Sequence, residues 1–474
     1  MPEYKTPGVY IEEIPHLPPS IASVETAIPA FIGYTQKQPI ETELGSSIPK
    51  PIKISSIFEY ELYYGTTPKE TDIKVSIDLA NSSNPITVTK TINKPLYLMY
   101  YSLQMFFANG GGDCYIVSVG TFPAVIKEAD LEKGLLEIEK IRDVTLILFP
   151  DAMNLTTSDD YYLIHSKAIA QCVLLRDRFT VMDVWMNDVI PAPVLPPDNV
   201  QVLRDATLVT EFSNLKYASV YYPRIYTTLD YLYDEASVDL TVINSPAAPP
   251  KNYSGKLDVA KTSANAYYAM ATNAISNFNM LLPASPAAVG IYAAVDSSRG
   301  VWKAPANVGI ISAIKPELAI TSHLQEDLNV DPNAGKSINV IRTFPGRGSA
   351  IIWGARTLLG NDNEWRYISV RRFFIMMEQS IKNATEQFVF EPNDENTWVR
   401  VKSMIYNYLT QQWKAGALMG ASVKEAFFIH IGLGETMTEV DIWEGRMIIL
   451  VGVAVVRPAE FIILQFMHKM LSES

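Results

Sequence analysis

The sequence predicts a mixed α/β fold around a mostly parallel sheet, on three observations. Between residues 95 and 222, buried-strand patterns alternate with helical patterns of about 10 to 18 residues, which points to βαβ units. Of 474 residues, 48% are hydrophobic and 19% charged, enough apolar material for a large core in two or three domains. Each end of the chain also carries an apolar strand fenced off by proline.

At the N-terminus, Pro7-Gly8 and Pro15 bracket Val9 to Ile14. Val9 and Ile11 fall on one face of this strand, and Tyr10, Glu12 and Ile14 on the other. The next stretch, PHLPPSIAS, has three prolines and no Asn-Gly or Asp-Gly turn, so the strand has no hairpin partner nearby. The connector to Pro29 should run extended. AFIGYT (30–35) reads as a buried strand, and IKISSIFEYELYYG as a strand followed by a short helix, capped by Ser55 or Ser56 and stopped by Gly65. Residues 66–95 alternate in character and predict a small β excursion.

From Pro95 the period changes. Apolar residues at 96, 99, 103, 106 and 107 predict an amphipathic helix ending at glycines. DCYIVSV, a helix over 130–140, VTLILFP, a helix over 158–175, FTVMDV and YASVYYP (217–223) continue the alternation. Residues 224–285 carry weaker signals, loop-like in LTVINSPAAPPKNYSG and helical in ANAYYAMATNAISNFNMLL. INVIRTFPGRGSAIIWGARTL alternates strands with glycine turns. Apolar positions 370, 374, 377, 381 and 388 predict a strong helix, followed by another with Asn393 as N-cap and Trp398, Val401, Ile405, Tyr408 and Trp413 along one face. AFFIHIG and GRMIILVGVAVV read as long strands, and RPAEFIILQFMHKMLSES holds the second fenced strand, with Phe461, Ile462, Ile463 and Leu464.

Charge narrows the function classes. The net charge is −12, the pI is near 5.1, and no Lys/Arg run forms the basic patch that counterion release onto nucleic acid requires. A mean hydropathy of +0.07 leans apolar and suggests surface buried against partners. Cys114 and Cys172 sit in apolar contexts, as buried free thiols of a reducing compartment. MPEYKTPG lacks the charged and apolar regions of a signal peptide, so a cytoplasmic product is expected, released if at all by another route. The longest apolar run, Met447 to Val456, falls short of the roughly 20 residues that span a bilayer, which argues against membrane insertion.

Motifs that suggest chemistry fail on inspection. NAGKSI (333–338) has Val330 where a phosphate loop needs its first glycine. DLNVDPNAG (327–335) places Pro332 at the glycine position of a calcium loop and Ile338 at its bidentate glutamate. The glycines of NGGGDCYIV follow a helix and open a strand, the reverse of a dinucleotide loop. The five histidines are scattered without ligand spacing, and no G-x-S-x-G elbow occurs. Catalytic, cofactor and metal sites are therefore not expected.

Several stretches, in this order, resemble the tail sheath proteins of contractile phage tails, bacteriocins and injection systems. They are TPGVYIEE, ANGGGDCYIVSV, AVDSSRGVWKAPAN (294–307), RTFPGRGSAIIWGARTL (342–358), WRYISVRRFFIMMEQSI (365–381), FVFEPNDENTW (388–398) and VVRPAEFI (455–462). The resemblance implies a discontinuous inner sheath domain from residues 1–30 and 341–474, with 31–340 inserted as outer α/β domain or domains. The unmatched segments 36–95 and 224–285 are the variable outward parts. It further implies a non-enzymatic subunit that stacks as helical arrays of six-membered rings around an inner tube, with baseplate and terminal cap proteins as further partners. Contraction of the array drives the tube through a target envelope.

In this family both terminal arms complete β-sheets of neighbouring subunits. That assigns Val9, Tyr10, Ile11 and Ile14 to the N-terminal arm and Phe461 to Leu464 to the C-terminal one. The helix with Arg371, Arg372 and Lys382 is the expected contact to an acidic tube, with salt bridges inside the subunit as the alternative. The competing reading from another class is an α/β enzyme with a site at the C-terminal strand ends of the 114–222 sheet.

Overall fold

The computed structural model describes residues 21–39, 41, 48–81, 83–91, 94–186, 197–244 and 253–464. The expected N-terminal strand, with Val9, Tyr10, Ile11 and Ile14, lies outside the described residues.

The chain begins with β1 (Pro29–Thr35), β2 (Ile52–Ile54), α1 (Ile57–Tyr64), β3 (Lys74–Asp78) and β4 (Ile86–Thr89). The alternating stretch follows as α2 (Met99–Ala108), β5 (Cys114–Thr121), α3 (Glu128–Ile138), β6 (Leu146–Leu148), α4 (Ser158–Leu175), β7 (Phe179–Asp183), α5 (Pro197–Asp205) and β8 (Ala218–Tyr222). Next come β9 (Ile225–Thr227), β10 (Asp239–Ile243), β11 (Gly255–Lys256), α6 (Leu257–Ser263), α7 (Asn265–Ser276), β12 (Met280–Leu282) and α8 (Ser285–Arg299). Then β13 (Val308–Gly309), β14 (Ala313–Pro316), α9 (Ser322–Asn329), β15 (Asn339–Phe344) and β16 (Gly348–Ile352) lead to α10 (Ile368–Thr385). The last elements are α11 (Glu395–Lys414), α12 (Val423–Ala426), β17 (Phe427–His430), α13 (Glu439–Trp443) and β18 (Leu450–Val453).

The central sheet has nine strands in the order β13-β16-β15-β8-β7-β6-β1-β5-β2. Its six middle strands, β15 to β5, run parallel, and β2, β16 and β13 close the edges antiparallel. Helical crossovers cover a parallel sheet on its faces, so its strands read as continuous apolar runs. Accordingly every residue of β1, β6, β7 and β8 is buried.

Local signals explain several helix ends. The Ser56 side chain accepts from Glu59 N at the start of α1, and Gly65, at φ 80, ends it. Thr157 caps α4 through Asp160 N. The cap of α11 is Asp394, whose carboxylate accepts from Thr397 N at 2.9 Å, and not Asn393. Asn393 instead accepts from the Trp398 indole N–H at 2.7 Å.

The two segments expected to be variable meet in one sheet. β3 and β4, from the first, join β10 and β11, from the second, in the order β11-β10-β3-β4, with β10 parallel to β3 from Asp239↔Lys74 to Ile243↔Asp78.

The chain divides into two compact units. The larger comprises Glu25–Ile375 together with the segment from Arg457 onward, and the smaller Met376–Val456 together with Ile21–Val24. The boundary lies within α10, not near residue 340, because β15 pairs with β8 (Asn339↔Tyr221) and carries β16 into the central sheet. In the smaller unit, Val401, Met404, Ile405, Tyr408 and Leu409 form the buried face of α11, and Tyr406 packs edge-on to Phe427 at 5.4 Å. Val24 N donates to Ser380 Oγ at 3.0 Å, pinning the N-terminal connector to this unit.

Candidate functional site

The strand ends that an enzyme would use are filled by structural polar groups. Beyond β6, the Asp151 carboxylate accepts from Tyr34 N at 2.7 Å and Leu98 N at 2.6 Å. At the end of β7, Asp183 Oδ1 accepts from Ala284 N at 2.9 Å and Ser285 N at 3.0 Å, holding the start of α8. Burial pushes both carboxyls up to about 6 against those stabilising N–H donors. His165 nearby is kept neutral by burial, which pushes it down to about 3. The cavity between His165 and Asp183 is about 10 Å³, room for one water and no substrate.

The rejected sequence motifs have plain roles. Lys336, from the phosphate-loop look-alike, is buried and donates to the carbonyls of Leu203 (3.0 Å), Arg204 (2.7 Å) and Ala206 (2.7 Å), closing the C-terminal end of α5. Among the described residues no cluster of His, Cys, Asp or Glu is arranged to hold a metal, and no helix is long and apolar enough to cross a membrane. Cys114 and Cys172 are free and buried.

The expected tube contact on α10 needs correction. Arg371 and Arg372 are each only 3% exposed. The Arg372 guanidinium pairs with Asp296, donates to Thr26 O at 2.8 Å and lies 4.7 Å from the Tyr292 ring centre. Arg371 is stacked between the rings of Tyr217 (4.7 Å) and Trp365 (4.9 Å). The first half of this helix is buried on all sides, so the arginines serve the interior of the larger unit, as the salt-bridge alternative has it. Of the three basic residues, Lys382 alone is exposed.

The segment 457–464, expected to be the C-terminal arm, differs sharply from everything around it. Residues 457–464 form no strand, and Phe461, Ile462, Ile463 and Leu464 are 68%, 80%, 80% and 73% exposed. Four consecutive large apolar side chains open to water are uncommon on a stable monomer surface. Just before them Glu460 is held fast. Its carboxylate accepts from Arg356 Nη2 at 2.6 Å, Arg356 Nε at 2.9 Å, Asn329 Nδ2 at 2.8 Å and the Tyr367 hydroxyl at 3.1 Å. These donors hold its carboxyl below the usual range despite burial.

The smaller unit shows a complementary incompleteness. β17 and β18 form a two-stranded antiparallel ladder, Phe427↔Val453 to His430↔Leu450. Among the described residues no strand pairs with the outer edge of either. Two strands alone are marginal in water, and open edges invite added strands.

Residues 360–468 match the phage tail sheath C-terminal domain. No protein of curated function matches the chain by sequence. Among solved structures, the chain is similar to the sheath of the extracellular contractile injection system PVC in its contracted state (29% identity, 98% of each chain, TM-score 0.61). It is equally similar to the contracted helical sheath of the anti-feeding prophage (29% identity, 98% of this chain and 100% of that one, TM-score 0.62). A chain from the contracted baseplate of the same particle matches at 25% identity and TM-score 0.65, covering 98% of this chain and 99% of that one. Bare apolar arm, unfinished hairpin and whole-length likeness agree: the chain is a homologue of the sheath proteins of contractile injection particles.

Proposed function

We propose that the chain is the structural sheath subunit of a phage tail-like contractile particle. It polymerises as stacked six-membered rings around an inner tube, seats on a baseplate, ends at a cap and shortens to drive the tube through an envelope. The observation that carries this reading is that Phe461–Leu464 stand exposed while, among the described residues, no strand covers the outer edges of the β17–β18 ladder. An arm strand laid on a neighbour's ladder satisfies its own backbone groups, covers the edge and removes apolar surface from water. Burying four such side chains is worth about 6–12 kcal/mol before ordering costs. Each joint is weak, and the array holds through many of them.

Contraction in this reading is relaxation of a metastable array, so the subunit performs no chemistry. The proline-rich connector before Pro29 lets lattice pitch change while strand pairings persist. The tube-facing part is drawn from the two chain ends, with Lys382 as the remaining basic contact, and the β11-β10-β3-β4 sheet faces outward.

Deletion of residues 1–15, which removes Val9 to Ile14, tests the exchange. The truncated chain should fold with an unchanged circular dichroism spectrum and form no long cylinders. Cylinders of normal length from the truncated chain would refute arm exchange.

A further inference from the structure

The two arms are rooted in different units. The N-terminal connector is pinned through Val24 and Ser380 to the smaller unit, where Ser23 Oγ also lies 3.4 Å from the Tyr408 hydroxyl. The chain leaves that unit after Val456, whose N–H donates to Ala417 O at 3.1 Å, and from Arg457 it belongs to the larger one. Among the described residues, no backbone–backbone hydrogen bond holds 457–464. Side chains do the anchoring. Arg457 donates to Asn363 O at 2.9 Å, and Glu460 enters the fork of Arg356.

Arg356 is itself fixed. It is 3% exposed, and its Nη1 donates to Gly360 O at 3.0 Å. Its backbone N donates to Asn339 Oδ1 at 2.8 Å, and its carbonyl accepts from Asn339 Nδ2 at 2.8 Å. Asn339 is the first residue of β15, paired with Tyr221 of β8 inside the central sheet. A bidentate guanidinium–carboxylate pair resists displacement in two directions, where one hydrogen bond would pivot.

We infer that Glu460, Arg356 and Asn339 form a tether that sets the exit of the C-terminal arm and carries the pull on that arm into the central sheet. This rests on the sheath reading for the source of the pull, whereas the anchorage belongs to the single subunit. Arg356 and Asn339 are positioning residues, since neither belongs to the arm that meets the neighbour. A neighbour tugging on Phe461–Leu464 would otherwise peel the unpaired 457–460 segment and then the β18 end of the smaller unit. With the tether intact, pull on the C-terminal arm stops at the larger unit, and pull on the N-terminal arm reaches the smaller one.

The test uses the full chain with a spin label on Ile463→Cys, the native thiols being buried. Glu460→Gln keeps the shape and removes the charge, Glu460→Asp keeps the charge, and Arg356→Lys keeps a cation without the fork. Below the melt, Glu460→Gln and Arg356→Lys should sharpen the label's spectrum and Glu460→Asp should do so less, while Glu460→Gln should also lower the melting temperature of dispersed subunits, since it leaves the buried Arg356 charge without its carboxylate. In assembly, Glu460→Gln should give short cylinders that disperse at lower denaturant than unsubstituted ones. An unchanged spectrum in Glu460→Gln overturns the anchorage, and cylinders of normal length and resistance overturn its role under pull. If the label responds but the unsubstituted chain forms no cylinders, the anchorage stands and the sheath reading falls.

Discussion

Arg372 and Asp296 face each other inside the larger unit, Nη1 to Oδ1 at 3.0 Å, with Thr26 Oγ1 donating to Asp296 Oδ2 at 2.6 Å. Three segments distant in sequence, the connector, α8 and α10, are joined at this point. Removing one partner of a buried pair strands the other charge. Arg372→Ala should therefore lower unfolding free energy by about 3–5 kcal/mol, and Arg372→Lys by less. Denaturant melts measure both. A loss under about 1 kcal/mol for Arg372→Ala would return the arginine to the surface role that sequence suggested.

Gly290 marks where α8 meets α2. A Cβ there would lie 2.5 Å from Phe106 O and 2.9 Å from Asn109 Cβ, and the carbonyl cannot swing aside as a flexible side chain does. Gly290→Ala should destabilise by about 1–3 kcal/mol although alanine favours helices. Thermal melting of the variant at constant pH reads this directly.

Asp183 makes stability depend on pH. Its folded carboxyl titrates near 6 against a usual value of 3.8, so the folded chain holds this proton where the unfolded chain has lost it. The stabilisation is complete below about pH 4 and disappears as pH rises through about 6, on the order of 3 kcal/mol in all. In Asp183→Asn the amide oxygen still accepts from Ala284 and Ser285, while the titration is gone. Its melting temperature should fall less between pH 4 and 7 than that of the unsubstituted chain, as calorimetry across that range would show.

The arm can be altered without touching the fold. Phe461→Ser combined with Ile463→Ser should leave the melting temperature within error, because both side chains are already exposed. The same pair should raise the solubility of dispersed subunits and suppress cylinders, read by sedimentation. A large drop in melting temperature would mean that these residues serve the subunit's own core.

Much of the fold was legible because its signals are local. The 158–175 helix, the Gly65 stop and the buried runs of β1, β6 and β7 follow from period and capping alone. The β3–β10 pairing was not, since it joins residues about 165 positions apart and no local pattern encodes a partner. The expected long strands near residues 427 and 450 shrink to four residues each, and beyond Val453 the chain changes partner, with Val455 bridged to Leu418. Arg371 and Arg372 misled because a charged pair on an amphipathic helix usually marks the solvent face. Their partners Asp296, Tyr217 and Trp365 come from other elements. The Arg356–Glu460 fork was equally hidden, although the proline-fenced Phe461–Leu464 run beside it stood out.

Negative-stain microscopy of the purified full-length chain tests the sheath assignment most directly. Long hollow cylinders of stacked rings that depend on both arms are expected. A monodisperse small oligomer that ignores deletion of either arm, at every concentration and salt tried, would contradict it.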